Sequence, residues 1–249
     1  MTDEYYNRAK QEGYRSRAAY KLKQLDREAD LIADGDTVVD LGAAPGGWLQ
    51  VAVELAGTGT VVGVDRQLID PVDGAETVRG DVTDESTQAD VLEQVGEADV
   101  VVSDMAPNMT GEYELDHARS VHLARTAFET ALELLAPGGD VVAKVFEGPD
   151  TDDLRADIDE EFEYVRSIHP EASRDSSSEL FLVGKGRVTA PVSTGDSVEV
   201  DVVDVGDEGD GIAKVDGYTL FVPGAEVGTT IEVRVTDVKP RFGFAERVE

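Results

Sequence analysis

The sequence predicts an α/β fold, consisting of a Rossmann-like, mostly parallel sheet followed by a small all-β barrel. A glycine-rich turn joins an apolar strand to a helix near residue 42, and strands alternate with helical patterns as far as about residue 187. From residue 189 the pattern changes to short β-runs separated by glycines, which is typical of a small closed barrel. We therefore expect two domains, 1–187 and 188–249.

The glycine-rich turn Asp40-Leu41-Gly42-Ala43-Ala44-Pro45-Gly46-Gly47-Trp48 follows an apolar strand and precedes a helical pattern over 49–55. Its glycines let backbone N–H groups approach a ligand, and the helix N-terminus adds partial positive charge. The spacing is wider than the dinucleotide fingerprint G-x-G-x-x-G. A carboxylate at the strand end, Asp40, suits a ligand with an ammonium group, such as S-adenosyl-L-methionine (SAM). The less favoured alternative is an ordinary strand-to-helix turn.

Three later strands are also followed by aspartates. The run 60–64 ends at Asp65, the run 76–80 leads to Asp81, and the run 98–103 leads to Asp104. Because ligands bind outside the carboxyl ends of parallel strands, these acids and Asp40 are expected to converge, with Asp65 placed to accept hydrogen bonds from ribose hydroxyls. Simple turn or N-cap roles for Asp65 and Asp81 remain open.

The fifth strand of the predicted sheet contains a lysine. A long amphipathic helix over 113–135 ends at Pro137-Gly138-Gly139, and the strand 140–146 that follows carries Lys144 in an apolar run. A charged lysine is costly to bury unless it is paired. The alternative, an edge-strand lysine with a solvated head, is weak in a chain with seven lysines. The remaining elements are a helix over 152–161, antiparallel strands over 162–168 and 179–183, and a polar loop over 171–178 that leads to Glu179.

Five strands are expected in the barrel, and 185–187 is interpreted as the linker that precedes it. Phe242 and Phe244 are assigned to the barrel core in preference to base stacking. The predicted barrel strands are 197–205, 211–215, 218–222, 230–238 and 242–248.

The N-terminal 27 residues carry seven cations against four acids, in contrast to the rest of the chain. We interpret them as a basic arm that leads into a helix capped by Ser16 and that could bind RNA phosphates. The alternative is a solvated helix face, with Tyr20, Leu22 and Leu25 packed inward. Tyrosines among the cations slightly favour nucleic acid, because aromatic rings stack on bases. They are Tyr5, Tyr6 and Tyr14.

The composition limits the remaining possibilities. A net charge of −31 with 41% hydrophobic residues indicates a folded protein adapted to a high-salt cytoplasm. In molar salt the Debye length is about 3 Å, so this charge does not exclude RNA as a partner. The absence of cysteine and the three scattered histidines His117, His122 and His169 predict no metal site. The chain shows neither a spanning apolar run nor a leader, so we expect a cytoplasmic protein without a membrane partner.

Several motifs together resemble the FtsJ-like family of SAM-dependent RNA 2′-O-ribose methyltransferases, most closely its large-subunit (23S) rRNA uridine branch. The resemblance implies a catalytic tetrad of Lys21, Asp104, Lys144 and Glu179. It also implies cofactor contacts at Gly46, Trp48, Asp65, Asp81 and Asp104, to which the turn itself adds Asp40 and Gly42. The motifs are Arg15-Ser16-Arg17-Ala18-Ala19-Tyr20-Lys21-Leu22, the turn 40–48, and the segments 103–109, 144–146, 173–174 and 178–179. The tail resembles a TRAM domain, an RNA-binding barrel, in 209–213 and 221–224.

The function implied is methylation of the ribose 2′-OH of a uridine in 23S rRNA or a pre-ribosomal 50S particle, with SAM as cofactor and no metal. Lys144 is the candidate general base, aligned by Asp104, Lys21 and Glu179. Lysine is protonated at neutral pH, so its site must favour the neutral amine through partial burial and the like charge of Lys21. Two alternatives stay open: a SAM-gated, RNA-binding ribosome-assembly factor, and a 2′-O-methyltransferase that acts on tRNA.

Overall fold

A computed structural model describes residues 4–174, 177–206 and 209–248. The chain forms two compact units, residues 1–187 and 188–249. The predicted polar loop and one barrel loop each contain two residues, 175–176 and 207–208, that lie outside the described part. The predicted fold class, a Rossmann-like α/β sheet with a small all-β barrel, is confirmed.

The first unit contains a seven-stranded sheet in the order β3-β2-β1-β4-β5-β7-β6. Strands β1 to β5 are parallel to one another, whereas β7 is antiparallel to both β5 and β6. The strands are β1 Thr37–Leu41, β2 Thr60–Asp65, β3 Glu76–Arg79, β4 Ala98–Ser103, β5 Leu135–Phe146, β6 Phe162–Ile168 and β7 Glu179–Arg187. The helices are α1 Glu4–Glu12, α2 Ala19–Ala29, α3 Gly47–Ala56, α4 Glu85–Val95, α5 Tyr113–Leu134 and α6 Thr151–Glu161.

Helices cover both faces of this sheet, as its continuous apolar strands require. Alternate residues of one strand enter different cores: Val39 and Leu41 pack with α5 and α6, whereas Val38 packs with α2 and α3. The strand order reverses between β1 and β4. In open α/β sheets this switch point is where ligands bind, so the turns after β1 and β4 are the expected walls of a cleft.

The second unit is a closed five-stranded barrel in the order β10-β12-β11-β8-β9. It has its own core, which includes Leu220, Val233 and Ala245. Its strands are β8 Ser197–Val205, β9 Gly211–Val215, β10 Tyr218–Val222, β11 Thr230–Val238 and β12 Phe242–Arg247, close to the predicted runs.

Two predictions about connections were wrong. Residues 185–187 are not a linker but the last residues of β7, where Lys185 pairs with the carboxylate of Asp140. Ser16 does not cap a helix, because α2 begins at Ala19 with Ala18 at its N-cap position. The backbone carbonyl of Ser16 instead accepts a hydrogen bond from the N–H of Ala19 at 3.3 Å.

Strand β5 is also longer than predicted. It begins at Leu135 and includes the Pro-Gly-Gly segment that was interpreted only as the end of the preceding helix. The backbone ladder between β4 and β5 shifts register between Ala98 and Val100, which accommodates that segment.

Candidate active site

The glycine turn after β1 packs directly against the turn after β4. Gly42 has a positive φ of 81°, and a Cβ built on it would lie 2.3 Å from Cγ of Met105. Gly46, at the N-cap of α3, has φ 102°. A side chain would be strained at either position. At Gly42 it would also push the two turns apart, and at Gly46 it would collide with the Arg15 side chain, so both close approaches require glycine.

A cleft of about 500 Å³ opens beside these turns and is acidic. Asp65 at the end of β2, Asp81 after β3 and Asp104 after β4 line it, together with Gly42. The Asp65 carboxylate accepts hydrogen bonds from the backbone N–H groups of Ala44, at 3.0 Å, and of Gln67, at 2.7 Å. Asp65 therefore also fixes the glycine turn. Three carboxylates around a cavity of this size suit a nucleoside with hydroxyl donors and a cationic group.

Asp81 is held in its ionised form. The backbone N–H and the hydroxyl of Thr83 both donate to its carboxylate, and these hydrogen bonds hold its pKa below the usual value. Asp81 lies two residues after the end of β3, in a turn that places its side chain on the wall of the cleft. Asp81 therefore makes hydrogen bonds within its turn and also lies at the carboxyl ends of the strands, so both interpretations of this residue are observed.

Two predicted cofactor residues have side chains outside the cleft. Asp40 is only 1% exposed and lies inside β1, one residue before its end. Burial, together with the negative charges of Asp104 and Asp65, raises the pKa of Asp40 well above its usual value, so its neutral form is favoured. The Trp48 indole is also buried and donates to the carbonyl of Ala18 at 2.7 Å. The structure does not bring these two side chains to the ligand edge.

The four residues of the predicted tetrad meet at one end of the sheet. Lys144 Nζ lies 2.7 Å from Asp104 Oδ1, and Lys21 Nζ lies 3.4 Å from the same oxygen. Lys21 Nζ also contacts Glu179 Oε1 at 2.8 Å. Residues far apart in the sequence converge because α2 packs beside β7, and Phe146 of β5 pairs in register with Glu179 of β7.

The charges of the tetrad are balanced two against two. Burial raises the pKa of Glu179, but the attraction of Lys21, hydrogen bonds from Lys21 and Ser173, and the charge of Lys144 outweigh it. The pKa of Glu179 therefore lies below its usual value, and the side chain is an anion at neutral pH. Asp104 is shared by the two lysines, so it fixes the position of both ammonium groups.

A second cavity, of about 610 Å³, lies on the other side of the tetrad. Its lining includes Lys144, Lys21 and Glu179, and it adds two cations, Arg17 and Arg174. Asp104 lines the acidic cleft, and Ala106 lines both cavities. The tetrad therefore stands at the border between a carboxylate-lined cleft and a cation-lined cavity, an arrangement that can bring two ligands of different charge to the same amine.

The basic N-terminal segment is mainly structural. Arg15 donates to the carbonyls of Pro45, Asp70 and Pro71 and so clamps the glycine turn. Lys23 pairs with Glu54, and Arg8 pairs with Glu12. Among the seven cations of the segment, only Lys21 and Arg17 line the second cavity. The structure therefore places two cations of the predicted basic arm, Arg17 and Lys21, at the second cavity, and binding of RNA phosphates by the arm stays a prediction.

The apolar side chains of this segment pack inward, as expected if it forms a helix with one solvated face. Tyr5 and Tyr14 pack on the ring of Tyr20, which is itself buried. Leu22 and Leu25 are buried as well, as expected for an amphipathic helix. Tyr6 remains exposed.

The sequence interpretation missed the hydrogen bonds that fix the loop after β4 and part of the lining of the second cavity. The carboxylate of Asp116, in the first turn of α5, accepts from the N–H and hydroxyl of Thr110 and from the N–H of Gly111. These bonds hold the pKa of Asp116 below its usual value and fold the loop after β4 beside the tetrad. Tyr113 and His117, on the same helix, line the cavity. The only sequence signal was their i, i+4 spacing.

Two negative observations apply to the described residues. Among them, no group of three or more histidine, cysteine or acidic side chains is arranged to hold a metal ion. None of the helices in the described part is long and apolar enough to cross a bilayer.

Comparisons with known proteins agree with this arrangement. The family described as FtsJ-like methyltransferase matches residues 14–187, and the TRAM domain matches residues 191–248. The chain is 79% identical over 248 residues to a ribosomal RNA large subunit methyltransferase E of Natronomonas pharaonis, covering 99% of this chain and 98% of the relative. A protein of the same name from Methanocella arvoryzae is 49% identical over 247 residues, covering 99% and 96%.

A solved structure agrees with the methyltransferase match. A crystal structure described as a ribosomal RNA methyltransferase from Plasmodium falciparum is 26% identical, with a TM-score of 0.64, and covers 70% of this chain and 98% of that one. These matches confirm the resemblance drawn from the sequence motifs.

Proposed function

This chain belongs to the FtsJ-like methyltransferase family and carries a TRAM domain, and on that premise we propose that it methylates large-subunit ribosomal RNA. The reaction proposed is transfer of a methyl group from SAM to the ribose 2′-OH of a uridine. The closely similar relatives are described as ribosomal RNA large subunit methyltransferases. The proposed partner is 23S rRNA or a pre-ribosomal 50S particle, encountered in the cytoplasm.

The acidic cleft supports SAM as the cofactor. Asp65 and Asp81 offer carboxylate oxygens to ribose hydroxyls and to an exocyclic amine, and Asp104, a member of the tetrad, also lines this cleft. Gly42, which has no Cβ, lines this cleft, so the glycine turn can offer backbone groups to the cofactor. Gly46 and the backbone around Trp48 belong to the same turn. When bound, SAM supplies a methyl group that is already activated on a sulfonium.

The second cavity supports a ribose of RNA as the acceptor. Arg17 and Arg174 can contact backbone phosphates, and Lys144 stands at the cavity wall nearest the acidic cleft. Alignment of two bound reactants is worth about 7–11 kcal/mol, so most of the acceleration is expected from positioning. The proton of the 2′-OH must still be removed.

Lys144 is the proposed proton acceptor. Its Nζ is held by the carboxylate and the backbone carbonyl of Asp104, which orients the amine toward the border between the cavities. Lys21 Nζ lies 3.4 Å from the same carboxylate oxygen that holds Lys144 Nζ at 2.7 Å, so the two amines are placed close together. Glu179 neutralises Lys21 and fixes its position. The observation that carries the proposal is this tetrad at the border of two oppositely charged cavities.

The direct test is to map 2′-O-methyl groups in RNA from cells with and without this protein. We expect one uridine of 23S rRNA to lose its methyl group and to regain it when purified protein and SAM are added to the particle. Loss of a methyl group from tRNA alone would show that the substrate is tRNA and not 23S rRNA. No loss from any RNA, combined with an assembly defect, would favour the assembly-factor alternative.

The barrel is proposed to add RNA affinity through an aromatic cluster. Phe242 and Phe244 are 38% and 39% exposed, so their assignment to the core was wrong. With Phe221 they form a cluster whose ring centroids lie 5.7 to 5.9 Å apart. The strand pairing of β10 with β12 brings the three rings together, because Phe221 lies opposite Phe244. Exposed rings of this kind can stack on unpaired bases.

Replacing Phe242 and Phe244 together by alanine is expected to weaken binding of 23S rRNA by about 10-fold or more, since stacking is worth about 1–3 kcal/mol per base. The matched control is Val227→Ala, at another exposed apolar position of the same unit. Equilibrium binding at molar salt, where charge contacts are screened, is the measurement. Equal affinity of the double variant and the control would show that the aromatic cluster does not contact RNA. Unchanged affinity of a chain lacking 188–249 would show that the barrel as a whole adds no RNA affinity.

A further inference from the structure

Two large apolar side chains are exposed on the wall of the second cavity. Tyr113 is 61% exposed and Met109 is 62% exposed, and both line the cavity that contains Lys144. Neither exposure is explained by packing of the fold. Apolar surface that lies on a cavity wall and remains open to solvent marks a place where a ligand is contacted.

The ring of Tyr113 is held in a defined orientation. Its hydroxyl donates to the carbonyl of Glu147 at 2.9 Å. One face lies nearly parallel to the imidazole of His117, with an interplanar angle of 11° and a centroid distance of 6.3 Å. The side chain is nevertheless 61% exposed, so much of the ring surface is open to solvent. A ring whose hydroxyl and orientation are already fixed loses little conformational entropy when a flat ligand stacks on it.

His117 is itself fixed. The imidazole is buried and its Nδ1 lies 3.0 Å from the carbonyl of Phe146, while Nε2 accepts from the N–H of Asp150 at 3.3 Å. A Cβ on Gly148 would lie 2.5 Å from this ring, so the loop after β5 closes tightly over it. His117 therefore acts as a positioning residue that supports Tyr113.

We propose that Tyr113, supported by His117, is the surface on which the base of the target nucleotide stacks, with Met109 contacting the same base from the loop after β4. This inference rests on the proposed function, and it identifies what that function leaves open: how the nucleotide is held once it is beside Lys144. Aromatic faces stack on an extruded base in enzymes that act on single nucleotides. Stacking also suits a salt-adapted protein, because salt weakens phosphate contacts but not contacts between apolar faces.

The test compares Tyr113→Ala and Tyr113→Phe with a tyrosine elsewhere in the same unit. Tyr164 is a matched control, since it is 46% exposed on the edge strand β6. It pairs with Lys185, at the opposite end of β7 from Glu179. The measurements are SAM affinity, kcat and KM for 23S rRNA, and binding of an RNA fragment that contains the modified uridine or an abasic ribose at that position.

We expect Tyr113→Ala to raise KM for RNA about 10-fold, within the range of stacking on one base, with SAM affinity unchanged. Tyr113→Phe keeps the ring and should stay within about 3-fold of wild type, and Tyr164→Ala should match wild type. With the abasic fragment, wild type and Tyr113→Ala should bind equally, because the base that stacks is missing.

Three results would overturn the inference. They are an unchanged KM for Tyr113→Ala, an equal loss for Tyr164→Ala, and an affinity difference of the same size with the abasic fragment. The last result would show a structural effect of the ring. Failure of the proposed function is distinct, because wild-type protein would then methylate no ribosomal RNA at all.

Discussion

Lys144→Ala is expected to lower methyl transfer by about 10²–10⁴-fold, the usual contribution of a positioned general base, while SAM affinity changes by less than about 3-fold. The amine lies 2.7 Å from Asp104 at the border between the two cavities, and it does not line the acidic cleft. Its removal should therefore leave cofactor binding intact. Single-turnover transfer to 23S rRNA and a SAM titration on the same preparation measure the two effects.

Lys144→Arg separates proton transfer from charge. A guanidinium can keep the pair with Asp104 but cannot lose its proton in the working range. If Lys144 is the base, the arginine variant should be nearly as inactive as the alanine variant. Lys23→Ala is the matched control, because Lys23 is a lysine of α2 that pairs with Glu54 away from both cavities. Substantial activity of Lys144→Arg would show that charge alone is required and would reject the base assignment.

Most strands of the sheet could be predicted from the sequence, because the signals that mark a strand are local. Each apolar run of β1, β2 and β4 is bounded by a turn or an acid, and the predicted strand 98–103 has the observed bounds. The alternation of strands and helices then predicted a mostly parallel sheet, although it predicted neither the strand order nor the start of β5 at Leu135. Even Lys144 was marked locally, since a lysine inside an apolar strand requires a partner.

The parts that were missed depend on contacts between distant segments. Arg15 was assigned to RNA because it lies in a basic segment, but its guanidinium binds carbonyls about thirty and fifty-five residues away. Asp40 looked like a ligand because it ends an apolar run, and only the packing of helices on that face shows it to be buried. Phe242 and Phe244 alternate as buried residues would, yet they point outward with Phe221.

Asp104→Ala is expected to impair stability, cofactor binding and transfer together. The carboxylate is the shared partner of Lys144 and Lys21, whose side chains are 7% and 10% exposed. Removing one partner of a buried pair typically costs about 3–5 kcal/mol in the free energy of unfolding, because the remaining charge has lost its compensation. Asp104 also lines the acidic cleft, so the SAM dissociation constant should rise at least about 10-fold, as for a lost hydrogen bond to a charged group.

Asp140→Ala is the control that separates these effects. Asp140 is a buried aspartate that pairs with Lys185, and it lies on β5 four residues before Lys144, toward the opposite end of the sheet. Its loss should destabilise the fold by a similar mechanism but leave SAM affinity and transfer near wild type wherever the variant is folded. Denaturant unfolding in molar salt, with SAM titration at a temperature where both variants are folded, gives the comparison. If Asp104→Ala bound SAM as tightly as Asp140→Ala does, the loss of transfer would have to arise from misplacement of the two lysines alone, and Asp104 would have no direct role at the cofactor.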